Sequence, residues 1–321
     1  MTTYVVRRFL QMIPILLGAT MLIFLVIKLA PGDPFSGLID PRMDPRKIEE
    51  LRQRYCLNCP LPEQYWKWVT RTLQGDLGES IRFKTAVSEM IRARLGPTLA
   101  LGIASEFIVF LVGIPVGILA ATRQNTWIDT LVSIVAFAGI SIPSFFFGLL
   151  LLKWFALGGL KIFPSAGFVT AGAKLTGFAL YLDMASHLVL PALALGITGI
   201  AGLMSYVRAS MLEVLRQDYI RTARAKGLTE RVVIYKHALR NALIPVVTII
   251  GLQLPVLVGG AIITESIFMW PGIGRLTYTA LLERDYPVLM ALNLMFAFLT
   301  MVGSLLADIG YAIVDPRIRY D

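Results

Sequence analysis

Residues 97–122 read PTLALGIASEFIVFLVGIPVGILAAT, a run in which Glu106 is the only charged residue. About 20 mainly apolar residues in a helix cross the roughly 30 Å of hydrocarbon in a bilayer. This stretch therefore predicts a membrane-spanning helix. The whole chain agrees, because 56% of its 321 residues are hydrophobic and only 16% are charged, against about 25% charged residues in soluble domains. The composition excludes an ordinary water-soluble enzyme, a disordered chain and a nucleic-acid-binding module.

Further apolar runs of similar length lie between charged residues along the chain. They cover residues 9–27, 130–152, 188–207, 241–264 and 286–307. The sequence thus predicts an all-α polytopic membrane protein with six transmembrane helices. Residues 163–183 are interrupted by glycines and by Lys174, so we expect an external loop or a re-entrant segment there.

The basic residues of the short loops indicate the orientation. Lys and Arg concentrate before the first run, between residues 208 and 240, and after the last run. Cytoplasmic loops are enriched in these residues. We therefore predict a cell-membrane protein with both termini in the cytoplasm. Residues 31–96 form an external loop that is too long for this rule to apply.

The chain divides, on this interpretation, into residues 1–96, which form an N-terminal transmembrane helix and an extracytoplasmic loop, and a five-helix core, residues 97–321. The loop contains two candidate amphipathic helices, one beginning at Asp44-Pro45 and one opened by Pro62. The second carries Tyr65, Trp66, Trp68, Val69 and Leu73. A turn is predicted at residues 75–78. The loop is expected to cap the outer surface, either by packing or in contact with substrate.

The cytoplasmic segment, residues 208–245, has the pattern of a bent pair of helices. Residues 216–226 are good helix formers, and Gly227 stands at the position after the helix where positive φ is common. Thr229 is predicted to cap a second helix from Glu230 to about Leu243. The bend is basic and expected to be exposed to the cytoplasm, and its tip carries the small residues Thr222, Ala223 and Ala225. Two interpretations remain open: a solvated loop facing anionic lipid headgroups, or a projection that enters a groove of another protein.

Sites for chemistry are scarce in this sequence. It contains no P-loop, HExxH or GxSxG pattern, so we predict no catalytic residue, cofactor or metal for this chain. Cys56 and Cys59 form a CxxC without a second pair, which favours an external disulfide or two free thiols over a metal site. Glu106 lies inside a predicted span, where it either lines a pathway or bonds to a neighbouring helix.

Residues 219–227, YIRTARAKG, resemble the EAA loop of ATP-binding-cassette importer permeases, in the form typical of the peptide and nickel branch. Arg221 stands where the general pattern has glutamate. Other segments resemble the same branch, in the same order: APGDP (30–34), GDLG (75–78) with Ser80, FPSAG (163–167), ESIFMWPGIG (265–274), DYP (285–287) and DPRIRY (315–320). The long loop after the first span resembles that of the first of the two permease subunits in such importers.

The resemblance implies a MetI-like permease core and a site for each of two tasks. Coupling to an ATPase would involve Tyr219, Arg221, Thr222, Ala223, Arg224, Ala225, Lys226, Gly227 and Leu228. The pathway or gate candidates are Glu106, Glu265, Trp270, Pro271, Gly272 and Gly274.

The implied partners are a second homologous permease subunit, two cytoplasmic ATPases that bind ATP and Mg, an extracytoplasmic substrate-binding protein and the lipid bilayer. No nucleic acid is expected. The alternatives are a stand-alone secondary transporter or channel, which predicts inverted repeats or several midplane carboxylates, and a membrane scaffold without transport. The substrate is not readable: dipeptides, longer peptides, glutathione, nickel chelates and saccharides all fit.

Overall fold

The computed structural model describes residues 2–29, 58–243 and 261–314, together with Arg46, Glu50, Gln53 and Cys56. Within these residues the regular structure is helical, apart from one isolated β-bridge between Glu79 and Ala86. The all-α prediction is confirmed. The APGDP motif, the helix proposed at Asp44-Pro45, most of the run 241–264 and the DPRIRY motif lie outside the described residues.

The helices follow one another along the chain, and the connections between them range from a few residues to about 30. In order they are α1 (Thr2–Leu29), α2 (Leu61–Leu73), α3 (Val87–Thr122), α4 (Trp127–Ser141), α5 (Ser144–Leu151, continued by a π-helical turn over Leu152–Leu157), α6 (Phe178–Leu215), α7 (Asp218–Ala225), α8 (Glu230–Val232, then a π-helical turn over Val233–Ala238, then Leu239–Ala242), α9 (Ile262–Ile267), α10 (Ile273–Leu282) and α11 (Tyr286–Val314).

Four of these helices are long and apolar enough to cross a bilayer: α1, α3, α6 and α11. They contain four of the six predicted runs. Helix α6 begins at Phe178, so the interrupted segment predicted over residues 163–183 ends at Gly177. The predicted span over residues 241–264 is described only at its two ends and stays a prediction.

The run 130–152 is not one straight helix. α4 and the α5 segment meet at an angle of 102°, and Ile142 between them is extended, with φ −80° and ψ 123°. A proline disfavours helical geometry in the residue before it and lacks the N–H that would continue the helix. Pro143 therefore ends α4, whereas Pro115 and Pro191 lie inside α3 and α6 without ending them. With this bent pair counted as one span, the described residues hold five.

The chain forms two compact units, residues 1–96 with 272–321, and residues 97–271. In the first unit α1 packs along α11, and buried side chains such as Phe24, Val288 and Leu292 form its core. The second unit is built on α6, which packs against α4, α5 and α8. The functional division into residues 1–96 and 97–321 stays a prediction.

Helix α2 attaches the loop after α1 to the first unit. Tyr65 stacks edge-on against Phe24, with ring centres 5.5 Å apart, and its hydroxyl lies 2.9 Å from Thr20 Oγ1. Trp68 also packs on this core. Trp66 and Leu73, which were predicted on the same apolar helix, are 67% and 82% exposed. The apolar face of α2 is therefore narrower than the sequence indicated.

Asp285 joins two sequence motifs that lie far apart in the chain. Its carboxylate is buried and accepts a hydrogen bond from the Ser80 hydroxyl. It also accepts hydrogen bonds from the backbone N–H groups of Ile81 (3.2 Å) and Arg82 (3.4 Å). The GDLG turn, with Gly75 at φ 84° and Gly78 at φ 85°, is thereby held next to the beginning of α11.

Replacing Asp285 by alanine should destabilise the protein by about 2–3 kcal/mol, because buried donors then lose their acceptor. The thermal unfolding midpoint of the purified chain in detergent measures this change. Glu283→Ala is the control, since it removes only a half-exposed contact with Arg82 at 3.4 Å and such pairs contribute about 0–1 kcal/mol. Equal unfolding midpoints for the two variants would contradict a structural role for Asp285.

Candidate functional site

The bend at Gly227 is closed by backbone hydrogen bonds. The N–H of Gly227 bonds to the carbonyl of Arg224 at 3.0 Å, and the N–H of Leu228 bonds to that of Ala223 at 3.4 Å. Gly227 has φ 77°. This pair of bonds is the Schellman motif, which requires positive φ at the glycine position. The predicted helix–glycine–helix bend is thus present, with α7 beginning at Asp218.

One face of α7 is buried in the chain itself. Ile220 is fully buried and Ala223 is 8% exposed. Both pack in one apolar cluster with Val207 and Met211 of α6 and Val233 of α8. The structure therefore corrects the expectation that Ala223 lies on an exposed tip. It belongs to the buried cluster that joins α7 to α6 and α8.

The other face of α7 is open. Its exposed residues and those of the bend are Asp218, Tyr219, Arg221, Thr222, Arg224, Ala225, Lys226, Gly227 and Leu228. Tyr219 and Leu228 expose 43% and 40% of their surface. A cationic surface with two exposed apolar side chains suits contact with another protein.

An ion pair spans the bend from one helix to the next. The Arg224 guanidinium donates to both carboxylate oxygens of Glu230, at 2.6 Å and 3.1 Å. These hydrogen bonds hold the pKa of Glu230 below its usual value and raise the pKa of Arg224. Both side chains are about half exposed, so the pair contributes modestly to stability. Its bidentate geometry orients α8 relative to α7.

Helix α8 differs from the predicted helix in two details. Thr229 has the extended backbone of a capping residue, but its side chain makes no capping hydrogen bond. The helix contains a π-helical turn over Val233–Ala238 and ends at Ala242. It also contacts α6 directly, since the carbonyl of Ala242 accepts a hydrogen bond from Ser210 at 3.0 Å.

A buried ion pair that the sequence analysis missed fixes α4 to α6. Arg208 donates to both oxygens of Asp129, at 2.5 Å and 2.9 Å, and Asp129 also accepts from the backbone N–H of Asn125 at 3.1 Å. Asp129 is 5% exposed. Arg208 lies next to Val207, one of the residues that hold α7. The sequence offered one signal for this pair: Asp129 and Arg208 each flank an apolar run, and the analysis used them only as the boundaries of predicted spans.

Two of the gate candidates are buried inside the second unit. Glu265 is fully buried and accepts a hydrogen bond from Thr98 at 3.0 Å. Trp270 is fully buried, donates from its indole N–H to the carbonyl of Pro97 at 2.9 Å, and meets Phe168 edge-on. The ESIFMW segment therefore packs against the beginning of the 97–122 run. This brings together the FPSAG region and the ESIFMW motif.

Four gate candidates remain, and they lie on different elements. Glu106 is half-buried on α3, two helical turns beyond Thr98. Pro271 ends the second unit, and Gly272 and Gly274 lie at the beginning of α10 in the first unit, where both are buried. Gly272 has φ −100°, so its conformation does not require glycine. A role in a pathway or gate stays a prediction for all six residues.

Cys56 and Cys59 are joined by a disulfide bond. This is one of the two states that the sequence analysis favoured over a metal site. Gln64 donates to the carbonyl of Cys59 at 2.7 Å, which fixes the four-residue ring to the first turns of α2.

Comparison with known protein families gives matches over nearly the whole chain. Residues 113–320 match the model of the binding-protein-dependent transport system inner membrane component. Residues 1–102 match the N-terminal model of the same transport systems. The order of the two matches is the order of the motifs described above.

Similar proteins cover the full length of this chain. It is 47% identical over 321 residues to the oligopeptide transport system permease protein AppB of Bacillus subtilis, with all of both chains covered. It is 41% identical over 322 residues to the glutathione transport system permease protein GsiC of Escherichia coli K12, again over both whole chains.

A solved structure has a similar fold. An inward-facing conformation of the MetNI methionine ABC transporter contains a chain that matches 71% of this protein and 97% of its own length, with a TM-score of 0.56 and 20% identity. At this identity the likeness concerns the fold, and it agrees with the predicted MetI-like core.

Asp129→Asn should lower the stability of the chain by about 2–3 kcal/mol. This is less than the 3–5 kcal/mol for a broken, fully buried pair, because the Arg208 side chain is 29% exposed. Thermal unfolding of the purified chain in detergent measures the loss. Asp218→Asn removes an ion pair whose side chains are 77% and 95% exposed, and it should change little. A thermal unfolding midpoint for Asp129→Asn equal to that of the wild type would refute a stabilising role for the Asp129–Arg208 ion pair.

Proposed function

This chain belongs to the family of binding-protein-dependent transport system inner membrane components, and from that premise we propose that it is the first of two homologous subunits that together enclose a substrate path. It is a multi-pass permease of a peptide-type ATP-binding-cassette importer, working with an ATPase and a binding protein. The proposed complex contains one copy of this chain, its homologous partner, two cytoplasmic ATPases and an extracytoplasmic binding protein. Both termini of this chain would lie in the cytoplasm.

The proposed role of α7 is to couple movement of an ATPase to movement of the membrane helices. One observation supports this most directly: α7 has a buried face in the apolar cluster that it shares with α6 and α8, and an opposite face with exposed cationic and apolar side chains. A helix with both properties can receive a force on one side and pass it to α6 on the other. The ion pairs Arg224–Glu230 and Asp129–Arg208 extend the rigid attachment to α8 and α4.

The chemistry of ATP hydrolysis is assigned to the partners. ATP and Mg would bind the ATPase subunits, and this chain would contribute no catalytic residue. ATP-driven closure of the ATPases would bring the α7 helices of the two permease subunits together. The permease would then change between inward- and outward-open states, which requires that nucleotide and loaded binding protein stabilise different states.

We propose peptides as the substrate class, by analogy with relatives named for oligopeptide and glutathione transport. The motifs shared with the peptide branch support this choice. Mass spectrometry of the ligand that co-purifies with the binding protein of the same system would test it. A metal chelate or a saccharide as the bound ligand would contradict it.

Gly227→Pro should abolish ATP-driven uptake by the reconstituted complex while membrane insertion persists. Proline removes the N–H that bonds to Arg224 and cannot adopt positive φ, at a cost of about 3 kcal/mol or more. Uptake of labelled peptide into proteoliposomes, with ATP hydrolysis measured in parallel, provides the readout.

Gly75→Pro is the matched control for this substitution. Gly75 also has positive φ, also donates its N–H to a carbonyl three residues earlier at 3.0 Å, and also has open space around its missing Cβ. The backbone cost is therefore similar, but Gly75 belongs to the first unit and α7 to the second. Loss of uptake in both variants, or in neither, would argue against coupling through the bend at Gly227.

Tyr219→Asp should weaken association with the ATPase without unfolding the chain, because the side chain is exposed and the new charge would be buried at the interface. Pull-down of the ATPase with tagged permease in detergent measures the association. Tyr235→Asp is the control, since Tyr235 is 58% exposed but lies on α8. Equal recovery of ATPase with wild type and Tyr219→Asp would rule out this face as the contact.

A further inference from the structure

A cavity of about 480 Å³ lies in the first unit, between α2 and the ends of α1 and α11. Its volume falls within the range of small-molecule sites, about 300–1,000 Å³. Aromatic and apolar side chains, among them Phe24, Trp68 and Tyr286, line part of it. The disulfide-bonded Cys56 and Cys59 also line it, so a molecule inside the cavity can reach the disulfide.

The disulfide has a lysine beside it. Lys67 Nζ lies 3.3 Å from Cys56 Sγ and 2.7 Å from Glu63 Oε1. Glu63 and Lys67 are one turn apart on α2, which fixes this arrangement. An ammonium group at this position would stabilise a thiolate formed at Cys56, in the manner that makes cysteines beside lysine reactive.

We propose that the cavity binds small thiols and that the Cys56–Cys59 disulfide exchanges with them. In the first step the thiolate of the ligand attacks Cys59 Sγ and forms a mixed disulfide. The bond between the two cysteines breaks, and its electron pair leaves as the Cys56 thiolate beside Lys67. A stabilised leaving thiolate leaves faster.

A second ligand thiol completes the reaction. Its thiolate attacks the mixed disulfide at the ligand sulfur, which releases the oxidised ligand and leaves Cys59 as a thiolate. The two ligand thiols lose two electrons and their protons, and the two cysteines gain both. No other oxidant or reductant takes part. This chemistry is separate from transport.

The same side chains argue against a metal at this place. The ligand atoms of Cys56, Cys59 and Glu63 lie within 4.8 Å of one another, as a metal site would require. Lys67, however, already contacts both Cys56 and Glu63, and its positive charge would repel a cation there. The charge of Lys67 favours a thiolate at Cys56 and therefore thiol–disulfide exchange.

The charges around the cavity indicate which thiols bind best. Three cationic and two acidic side chains line it: Lys28, Lys67, Arg71, Asp76 and Glu79. Because Lys67 is paired with Glu63, Lys28 and Arg71 remain to contact a ligand carboxylate. The favoured ligand is thus a small thiol that carries a carboxylate.

The test uses the full oxidised chain in lipid nanodiscs, with 2-mercaptoethanol as the thiol and intact-mass analysis after alkylation as the readout. Lys67→Met should slow formation of free cysteine roughly five-fold, because the leaving thiolate loses its partner. Glu63→Gln should accelerate formation of free cysteine, because Lys67 then interacts with the Cys56 sulfur alone. Lys67→Arg should keep most of the rate.

Arg71→Met supplies the matched control on the same helix. With 2-mercaptoethanol it should react like the wild type, and with 3-mercaptopropionate it should react more slowly, since only that thiol carries a carboxylate. Equal rates for wild type and Lys67→Met would overturn the proposal, and so would a slower Glu63→Gln. Protection of the reduced cysteines from alkylation by added Zn²⁺ would also overturn it in favour of a metal site.

Discussion

Hydrocarbon offers no hydrogen-bond partners, and this constraint governs the whole structure. Each backbone N–H and C=O in the membrane must be paired within the chain, so the apolar runs form helices. Charged groups meet the same requirement. Asp129 pairs with Arg208, and Glu265 accepts from Thr98. Buried polar side chains thus fix helix positions, because each has few places where its hydrogen bonds can be made.

The bend at Gly227 shows how this framework extends into water. α7 has only eight residues, too few to be stable alone. It persists because Ile220 and Ala223 are buried in the cluster shared with α6 and α8 and because the backbone bonds at Gly227 and Leu228 satisfy its last carbonyls. Its exposed face can therefore remain polar and available for a partner without loss of the fold. The buried face of α7 thus stabilises the helix, and the exposed face is available to contact a partner.

Local signals predicted local structure well. The apolar runs identified α1, α3, α6 and α11, and glycines located the turns at residues 75–78 and at Gly227. The bend after Ser141 was missed because charges alone were counted, although Pro143 gave a readable signal. Pairs such as Asp129 with Arg208, or Ser80 with Asp285, join residues 79 and 205 positions apart. One sequence carries no information on such distances, so neither contact could be foreseen.

Helix α6 has 38 residues, which corresponds to a length of about 57 Å at 1.5 Å per residue. A bilayer core accommodates roughly 30 Å of it. The remaining length of α6 extends into the aqueous phase, and α7 follows its cytoplasmic end. A tilt of about 5° over that length moves the tip by about 5 Å, close to one helical pitch. A small change in the tilt of α6 within the membrane is therefore, by this geometry, also a large displacement of α7 outside it.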